Sequence, residues 1–254
     1  MTGYLDRRHL SITGADSRDF LQNLITQDVP EAGLAYGALL TPQGKLITDF
    51  FIRPAEGGYA LDLPAATFDS VMQRLTMYKL RADVTLNELS IALFCGQSDR
   101  PADAYMDPRD PALGWRLYDG DRAGDEGQDW DALRIAHGVP AFGHELDGES
   151  YILEMAFDRL GGVSFTKGCY VGQEVTARMH HKTTLQKGLA QITGDAPLPN
   201  GAQLMANGKK IGQITTAHGS QALAYVNFKR LGDHAVTAVA DTGAIEIHTI
   251  TSLL

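Results

Sequence analysis

The first half of the chain alternates between strand-like and helix-like spacing of apolar residues. HLSI predicts a strand, and Asp16 predicts the N-cap of a helix whose apolar stripe includes Leu24 and Ile25. The runs YGALLT and KLITDFFI flank PQG, a pattern typical of a β-hairpin. Pro64 precedes a helical repeat of apolar residues that continues to about Lys79, and DVTLNEL and IALFC predict two further strands. Hairpin-paired strands with helices packed on them indicate an α+β fold.

The second half contains a Pro-, Gly- and Asp-rich stretch and then a series of short strands. A helix is predicted from about Asp125 to His137, where Gly and Pro follow as stop signals. Further on, GLAQIT, KIGQITTA, ALAYVNF and AIEIHTI are separated by Gly, Asn and Pro, the pattern of a small β-barrel or sandwich. We therefore predict a body over residues 1–183, which could hold two subdomains meeting near 90–100, and a C-terminal β-barrel over 184–254.

Length and composition narrow the class of protein. The chain has 254 residues, of which 44% are hydrophobic, enough to bury a sizeable core. No apolar run approaches the roughly 18 residues that a membrane span needs, and no signal core opens the chain. We therefore expect no membrane association and predict the bacterial cytoplasm, or the mitochondrial matrix if a leader was removed.

Charge is distributed unevenly along the chain. The net charge of −9 argues against direct binding of nucleic acid, which depends on Lys and Arg neutralising phosphates. Residues 159–187 nevertheless carry five basic side chains against one acid, whereas residues 99–149 carry a net charge of −8. A local positive patch suits a small anionic ligand, and a solvated basic face is the alternative.

The stretch KGCYVGQE, residues 167–174, holds one of the two cysteines. Cys169 stands near Lys167 and just before a predicted short helix, EVTARM, and both the lysine and the helix N-terminus favour a thiolate. Such a thiolate would be a nucleophile or a soft metal ligand. The alternative is a small buried hydrophobe, and Cys95, inside the apolar run IALFC, is expected to be one.

Other chemistry finds little support in the residue pattern. There is no CxxC, HExxH or GxSxG motif, and His180 and His181 are adjacent, so that they diverge on a helix. We therefore predict no metal site. Lys167 could also be an ordinary surface charge, and Glu174 with Arg178 an ordinary helix pair.

Taken together, these residues resemble a known family. KGCYVGQEVTAR is similar to the signature of the YgfZ-type folate-binding proteins, relatives of the glycine-cleavage T-protein that include a mitochondrial iron-sulfur assembly factor. ITGADSRDFLQNLITQDV, GALLTPQGKLITDFFI, DPRDPALGWRL, LRIAHGVPAFGHEL and KKIGQITT support the likeness over nearly the whole chain. The resemblance implies a T-protein-like α+β body with a C-terminal β-barrel, arranged around a tetrahydrofolate pocket.

The resemblance also implies a set of site residues. Lys167 and Cys169 would form the working centre at the folate pocket, and Lys167 would contact the folate or its anionic tail. The full set of predicted cofactor-binding residues is Lys167, Gly168, Cys169, Tyr170, Gly172, Gln173, Glu174, Arg178 and Glu154.

Two positions depart from the T-protein pattern. Thr48 stands where that enzyme has a working aspartate, and Ala136 stands where it has a pterin-holding glutamate. A hydroxyl cannot replace a carboxylate as an acid or base near neutral pH. Aminomethyl transfer by the T-protein route is therefore not expected.

Three functional hypotheses follow from the resemblance and its departures. The first is a tetrahydrofolate-binding accessory protein for the assembly or repair of iron-sulfur clusters in client or scaffold proteins. Its clients would include radical S-adenosylmethionine enzymes that modify transfer RNA, and aconitase-like dehydratases. The second is a folate-dependent aminomethyltransferase or demethylase acting on a small amine, with Asp49, Glu154 and Cys169 available for another mechanism. The third is an adaptor without chemistry, which would still work after Cys169→Ser.

Overall fold

The computed structural model describes residues 6–118, 127–182, 184–232, 235–240 and 243–254. The start of the helix predicted from Asp125 and the predicted domain boundary at residue 183 lie outside these ranges. Among the described residues, no helix is both long enough and apolar enough to cross a bilayer.

An antiparallel sheet forms the N-terminal part of the body, in the strand order β2-β3-β4-β1-β5. Phe50 and Phe51 are neighbours on one strand and therefore point to opposite faces of this sheet, yet both are fully buried. Phe50 packs into one hydrophobic core and Phe51 into another, so the sheet is covered on both faces. Its elements are β1 (Arg7–Thr13), α1 (Ser17–Gln22), β2 (Ala35–Leu40), β3 (Leu46–Ala55), β4 (Gly58–Pro64), α2 (Phe68–Lys79) and β5 (Thr85–Leu89).

In the remainder of the body, the described residues form a smaller sheet and two α-helices. This sheet has the order β6-β8-β7, with β6 (Leu93–Gly96), β7 (Tyr105–Met106) and β8 (Trp115–Tyr118). The helices are α3 (Trp130–Ala136) and α4 (Gln173–Lys182). Trp115 and Trp130 are buried, as a core role requires. The chain thus leaves the first sheet at Leu89 and enters the second at Leu93.

The C-terminal part closes into a six-stranded barrel with the order β10-β11-β12-β9-β14-β13. Pairing of β10 with β13 completes the ring, and Ile192, Leu204 and Ile214 are among the buried residues inside it. This confirms the predicted α+β body with a C-terminal β-barrel. The barrel elements are β9 (Lys187–Gly194), β10 (Gln203–Ala206), β11 (Lys209–His218), β12 (Gln221–Asn227), α5 (Phe228–Leu231), β13 (Val236–Ala240) and β14 (Gly243–Ser252).

A buried carboxylate, Glu145, joins the body to the barrel. Its Oε2 accepts hydrogen bonds from Nη1 of Arg134 at 2.7 Å and from the amide of Ala141 at 3.1 Å. Its Oε1 accepts from the hydroxyls of Thr215 at 2.9 Å and Thr216 at 2.6 Å, both on β11. The side chains of Glu145 and Arg134 are both 0% exposed. We refer to Arg134, Glu145, Thr215 and Thr216 as the clasp.

Backbone and apolar contacts reinforce the clasp. The amide of Leu189 donates to the carbonyl of Glu154 at 2.7 Å, which connects β9 to the body. Ile135, Leu189 and Leu223 form a shared buried cluster, on which Leu253 packs. The two parts therefore meet through an interface that combines apolar packing with buried hydrogen bonds to Glu145, while Nη2 of Arg134 has no hydrogen-bond partner.

We expect Glu145→Ala to lower the free energy of unfolding by about 3–5 kcal/mol, because Nη1 of Arg134 loses its buried counter-charge and only the partly exposed Asp131 still pairs with the guanidinium. Denaturant unfolding of the purified variant measures this loss. Glu31→Ala is the control, since that side chain is 87% exposed and its removal should change stability by about 0.5 kcal/mol or less. If Glu145→Ala lowers the free energy of unfolding no more than Glu31→Ala does, the clasp does not stabilise the protein.

Candidate functional site

A cavity of about 400 Å³ lies between the body and the barrel. The body supplies Lys45, directly before β3, and residues from the segment 144–155, and the barrel supplies residues of β9, β11 and β12. Aromatic rings and side chains of both charges line the cavity. The lining residues are Lys45, His144, Glu145, Asp147, Glu149, Ser150, Tyr151, Glu154, Met155, Lys187, Leu189, Thr215 and Tyr225.

Glu154 is a second cavity carboxylate, besides Glu145, that side chains of the barrel hold in place. The hydroxyl of Tyr225 donates to its Oε2 at 2.6 Å, and Nζ of Lys187 lies 3.7 Å from its Oε1. Burial raises the pKa of Tyr225 well above its usual value, and the hydrogen bond to Glu154 adds to the effect. Tyr225 thus remains a neutral donor, and Glu154 presents an oriented carboxylate at the cavity wall.

The body side of the cavity carries a lysine on an aromatic ring. Nζ of Lys45 lies 3.9 Å from the ring centroid of Tyr151 and donates to the carbonyl of Glu149. Lys45 and Lys187 therefore supply positive charge on both walls, which anionic groups of a ligand could reach.

The loop that contains the KGCYVGQE residues is anchored by Lys167. Its side chain is buried, and its amine donates to the carbonyls of Ile25 at 2.7 Å and Gln27 at 2.9 Å. Burial lowers the pKa of this amine to about 8, although Asp28 opposes the shift. The alternative that Lys167 is an ordinary surface charge is therefore wrong.

Gly172 and Tyr170 fix the second half of the same loop. A Cβ at Gly172, whose φ is +84°, would lie 2.7 Å from the carbonyl oxygen of Thr41 and 2.8 Å from Cβ of Leu40. Only glycine permits this approach to the end of β2. Tyr170 is buried in the body core, where burial raises the pKa of its hydroxyl. Gly168 is exposed, and its carbonyl accepts from the Gln173 side chain at 3.3 Å.

The loop presents Cys169 to solvent. Cys169 is a free, exposed cysteine, whereas Cys95 is buried. The core role expected for Cys95 is confirmed, and the alternative of a buried core role for Cys169 is wrong. Nearby in the chain, the exposed ring of Phe165 stacks on His180 with ring centroids 3.8 Å apart. Phe165 was not predicted as a site residue, although an aromatic residue four positions before Cys169 is visible in the sequence.

The positive charge counted over residues 159–187 does not form one surface. Lys167 is buried, Arg159 donates to the carbonyl of Gly138 at 2.5 Å, and Lys187 lies beside Glu154. Glu174 and Arg178 are exposed on α4, and within the described ranges no ion pair joins them. The predicted local patch is wrong for Lys167, because buried carbonyls hold its amine away from solvent.

A network of buried charges occupies the middle of the body. Arg7 and Arg116 pair with Asp62 at 2.5 Å and 2.9 Å. Burial alone would raise the pKa of Asp62, but the two guanidinium groups hold it well below its usual range. Next to this network Asp49 accepts from the hydroxyl of Tyr36 at 3.2 Å, and its Oδ1 is buried without a hydrogen-bond partner.

The cavity beside Asp49 is too small for an organic ligand. It measures about 20 Å³, room for about one water molecule. Thr48 is fully buried and hydrogen-bonded to the hydroxyl of Thr67 at 2.8 Å. The position at which the T-protein pattern has a working aspartate is thus closed within the sheet.

The structure separates the predicted site residues into two places. Among the predicted cofactor-binding residues, Glu154 alone lines the 400 Å³ cavity, and the others lie on the Cys169 loop and α4. Within the described part of the chain, no three His, Cys, Asp or Glu side chains are grouped so that they could hold a metal ion.

Comparison with known proteins defines the class of fold. A solved structure of the glycine cleavage system aminomethyltransferase T from Bartonella henselae superimposes with a TM-score of 0.76 at 15% identity, covering 96% of this chain and 83% of that one. Residues 186–251 match the model of the CAF17 C-terminal β-barrel domain. The protein therefore has the aminomethyltransferase T fold with a barrel of the CAF17 type.

Sequence relatives define the family. The chain is 31% identical to the mitochondrial iron-sulfur cluster assembly factor IBA57 of Mus musculus, covering 84% of this chain and 70% of that protein. The human protein of the same name is 29% identical, covering 86% of this chain and 74% of its own length. A homologue from Coccidioides immitis is 31% identical, but this chain spans only 54% of it. The chain belongs to the IBA57 family, which confirms the predicted relationship to mitochondrial iron-sulfur assembly factors, while the YgfZ label stays a prediction.

We expect Lys167→Met to lower the free energy of unfolding by about 1–3 kcal/mol, because the two carbonyls lose their buried donor. The loss should grow with pH. Between pH 8 and 10.5 the folded protein releases the Lys167 proton while the unfolded chain keeps it, so native stability rises relative to the variant.

Denaturant unfolding at pH 7 and at pH 9.5 measures both effects, with the exposed Lys209→Met as control. A difference between native protein and Lys167→Met that stays constant or shrinks as pH rises would contradict the buried position of the amine.

Proposed function

We propose that this chain is an iron-sulfur cluster assembly factor that binds tetrahydrofolate in the cavity between body and barrel. The iron-sulfur role is supported by membership of a family whose relatives are named as iron-sulfur cluster assembly factors. The folate role is supported by one observation, the oriented carboxylate of Glu154 in a cavity of ligand size. Ligand cavities commonly measure about 300–1,000 Å³.

The groups that line the cavity fit the two ends of a folate. Glu154 could accept paired hydrogen bonds from the amino-pyrimidinone edge of the pterin, as carboxylates do from planar donor pairs. Tyr151 and Tyr225 offer ring surface for the aromatic parts. Lys45 and Lys187 could pair with the carboxylates of the glutamate. When bound, the folate would supply a carrier for one-carbon units.

Cys169 is the group that we propose for contact with a cluster or a client protein. Thiolate sulfur is the usual protein ligand of iron-sulfur clusters, and this thiol is exposed on a loop held by Lys167 and Gly172. The proposed partners are iron-sulfur scaffold and client proteins. Radical S-adenosylmethionine enzymes that modify transfer RNA and aconitase-like dehydratases are the proposed clients, and transfer RNA itself is not a proposed partner.

The aminomethyltransferase or demethylase alternative receives less support from the geometry. Thr48 is enclosed in the sheet, and Asp49 faces a space of about 20 Å³ rather than the larger cavity. Ala136 is exposed and has no carboxylate with which to hold a pterin.

The compartment of this chain stays a prediction. Its matched relatives are named as mitochondrial, which favours the matrix within the family. The predicted compartments remain the bacterial cytoplasm and the mitochondrial matrix.

We expect the purified protein to bind tetrahydrofolate saturably in calorimetric titration, and Glu154→Gln to weaken binding about 10- to 100-fold, since a hydrogen bond to a charged group is lost. Glu174→Gln is the matched control. It makes the same chemical change on α4, away from the cavity. If both variants weaken tetrahydrofolate binding equally, or if Glu174→Gln alone weakens it, the result would contradict the cavity site and favour a folate site at the Cys169 loop.

We expect Cys169→Ser to reduce the activation of an apo dehydratase at least about tenfold, when the variant replaces the native protein in the mixture that supplies the dehydratase with its cluster. The reason is that a hydroxyl is a poor ligand for iron. The same variant should bind tetrahydrofolate like the native protein, since Cys169 does not line the cavity. Cys95→Ala controls for loss of a thiol elsewhere. Full activation by Cys169→Ser would favour an adaptor that works by protein contact alone.

A further inference from the structure

The C-terminal barrel contains a long stretch of sequence without negative charge. Residues 196–232 include four Lys and Arg side chains and no Asp or Glu. At the mean content of the chain, 31 acids among 254 residues, a segment of this length would contain about four acids. The lack of carboxylates is therefore a local property of the barrel, in a chain whose net charge is −9. The four cations are Lys209, Lys210, Lys229 and Arg230.

The fold brings these four cations to the same end of the barrel. Lys209 and Lys210 begin β11, and the strand register places the start of β11 beside the end of β12, where α5 begins. Nη1 of Arg230 on α5 donates to the carbonyl of Lys210 at 3.4 Å, which joins the two pairs of cations. We refer to Lys209, Lys210, Lys229 and Arg230 as the basic end.

The charge of the basic end is exposed and not neutralised. All four residues are exposed, and within the ranges that the structure describes none of them forms an ion pair with a carboxylate. Nζ of Lys210 donates instead to the neutral amide oxygen of Gln213 at 3.3 Å. Lys187, at the adjoining end of β9, differs, because Glu154 lies 3.7 Å from its amine. Unpaired charges of one sign on a surface attract a partner of the opposite sign.

An acidic protein segment fits the basic end better than a nucleic acid does. Phe228 of α5 packs on the barrel core, so its ring is not a free platform on which bases could stack. Binding of a long polyanion depends on many cations that contact successive phosphates, whereas the chain as a whole is negative. A short run of carboxylates would meet only the four cations, and salt screens the more distant acids of the chain.

We infer that the basic end is a docking surface for an acidic segment of a partner protein. Carboxylates of the partner pair with the four exposed cations, and the contact is weak and sensitive to salt, as exposed ion pairs are. None of the four residues lines the cavity between body and barrel. Docking at the basic end is therefore separable from the proposed binding of folate.

Fluorescence anisotropy with a labelled glutamate decapeptide tests this surface on the whole protein. The native protein should bind the peptide saturably, and binding should weaken as ionic strength rises. Two double variants divide the basic end, Lys209→Ala with Lys210→Ala, and Lys229→Ala with Arg230→Ala. Each should weaken binding about fivefold, the loss expected when two exposed ion pairs are removed.

Lys79→Ala with Arg81→Ala is the matched control. It removes the same charge beside the end of α2 on the body, and it should leave binding of the peptide unchanged. Equal weakening by all three double variants, or absence of binding by the native protein, would overturn the inference. An oligothymidylate of the same length that binds more tightly than the peptide would overturn it in favour of a nucleic acid. These outcomes leave the folate proposal standing, since titration with tetrahydrofolate tests that proposal separately.

Discussion

The buried carboxylate of Glu145 is the contact on which the geometry of the proposed folate site depends. Removing a carboxylate and a guanidinium from water costs several kcal/mol each, so such a pair persists only where further hydrogen bonds satisfy it. Here Thr215, Thr216 and the amide of Ala141 donate to Glu145, and Nε of Arg134 donates to Asp131. The Glu145 carboxylate belongs to the body, whereas the hydroxyls of Thr215 and Thr216 belong to β11. The full set of hydrogen bonds to this buried charge therefore forms only while body and barrel stay in contact.

The clasp also fixes the walls of the cavity. Glu145 and Thr215 belong to the clasp and line the cavity, and the segment that follows Glu145 leads directly to Tyr151 and Glu154. On the barrel side, Tyr225 completes the wall by its hydrogen bond to Glu154. The cavity is thus a consequence of how the two parts are joined. A second feature, the Cys169 loop, is held separately by Lys167 and Gly172, so ligand binding and thiol presentation depend on different contacts.

The spacing of apolar residues predicted those helices and strands that depend mainly on local sequence. The hairpin of β2 and β3, helix α2 and the closed barrel all lie where the apolar spacing placed them. The first helix was predicted too long. It ends at Gln22, and Ile25 instead forms a bridge with Leu39, because pairing with the sheet overrides a helical stripe of four apolar residues. Leu24 and Ile25 are buried as expected, but outside the helix.

The site was less predictable, because its contacts join distant segments. Glu145 bonds to hydroxyls 70 and 71 residues away, and Lys167 bonds to carbonyls 142 and 140 residues away. No local pattern signals such partners, so the clasp was missed and Lys167 was expected at a ligand. Cys169 differs, because its glycines and the following helix indicated a special loop before the structure did. Glu154 was predicted as a site residue from the family resemblance, whereas its hydrogen bond with Tyr225 is seen only in the folded structure.

Hydrogen-deuterium exchange with and without tetrahydrofolate tests the position of the proposed ligand most directly. Local opening is suppressed where a ligand binds, so protection maps the site along the chain. We expect added protection over residues 149–155 and over β12, with residues 164–172 unchanged. Protection confined to residues 164–172, or no change anywhere, would contradict a folate site between body and barrel.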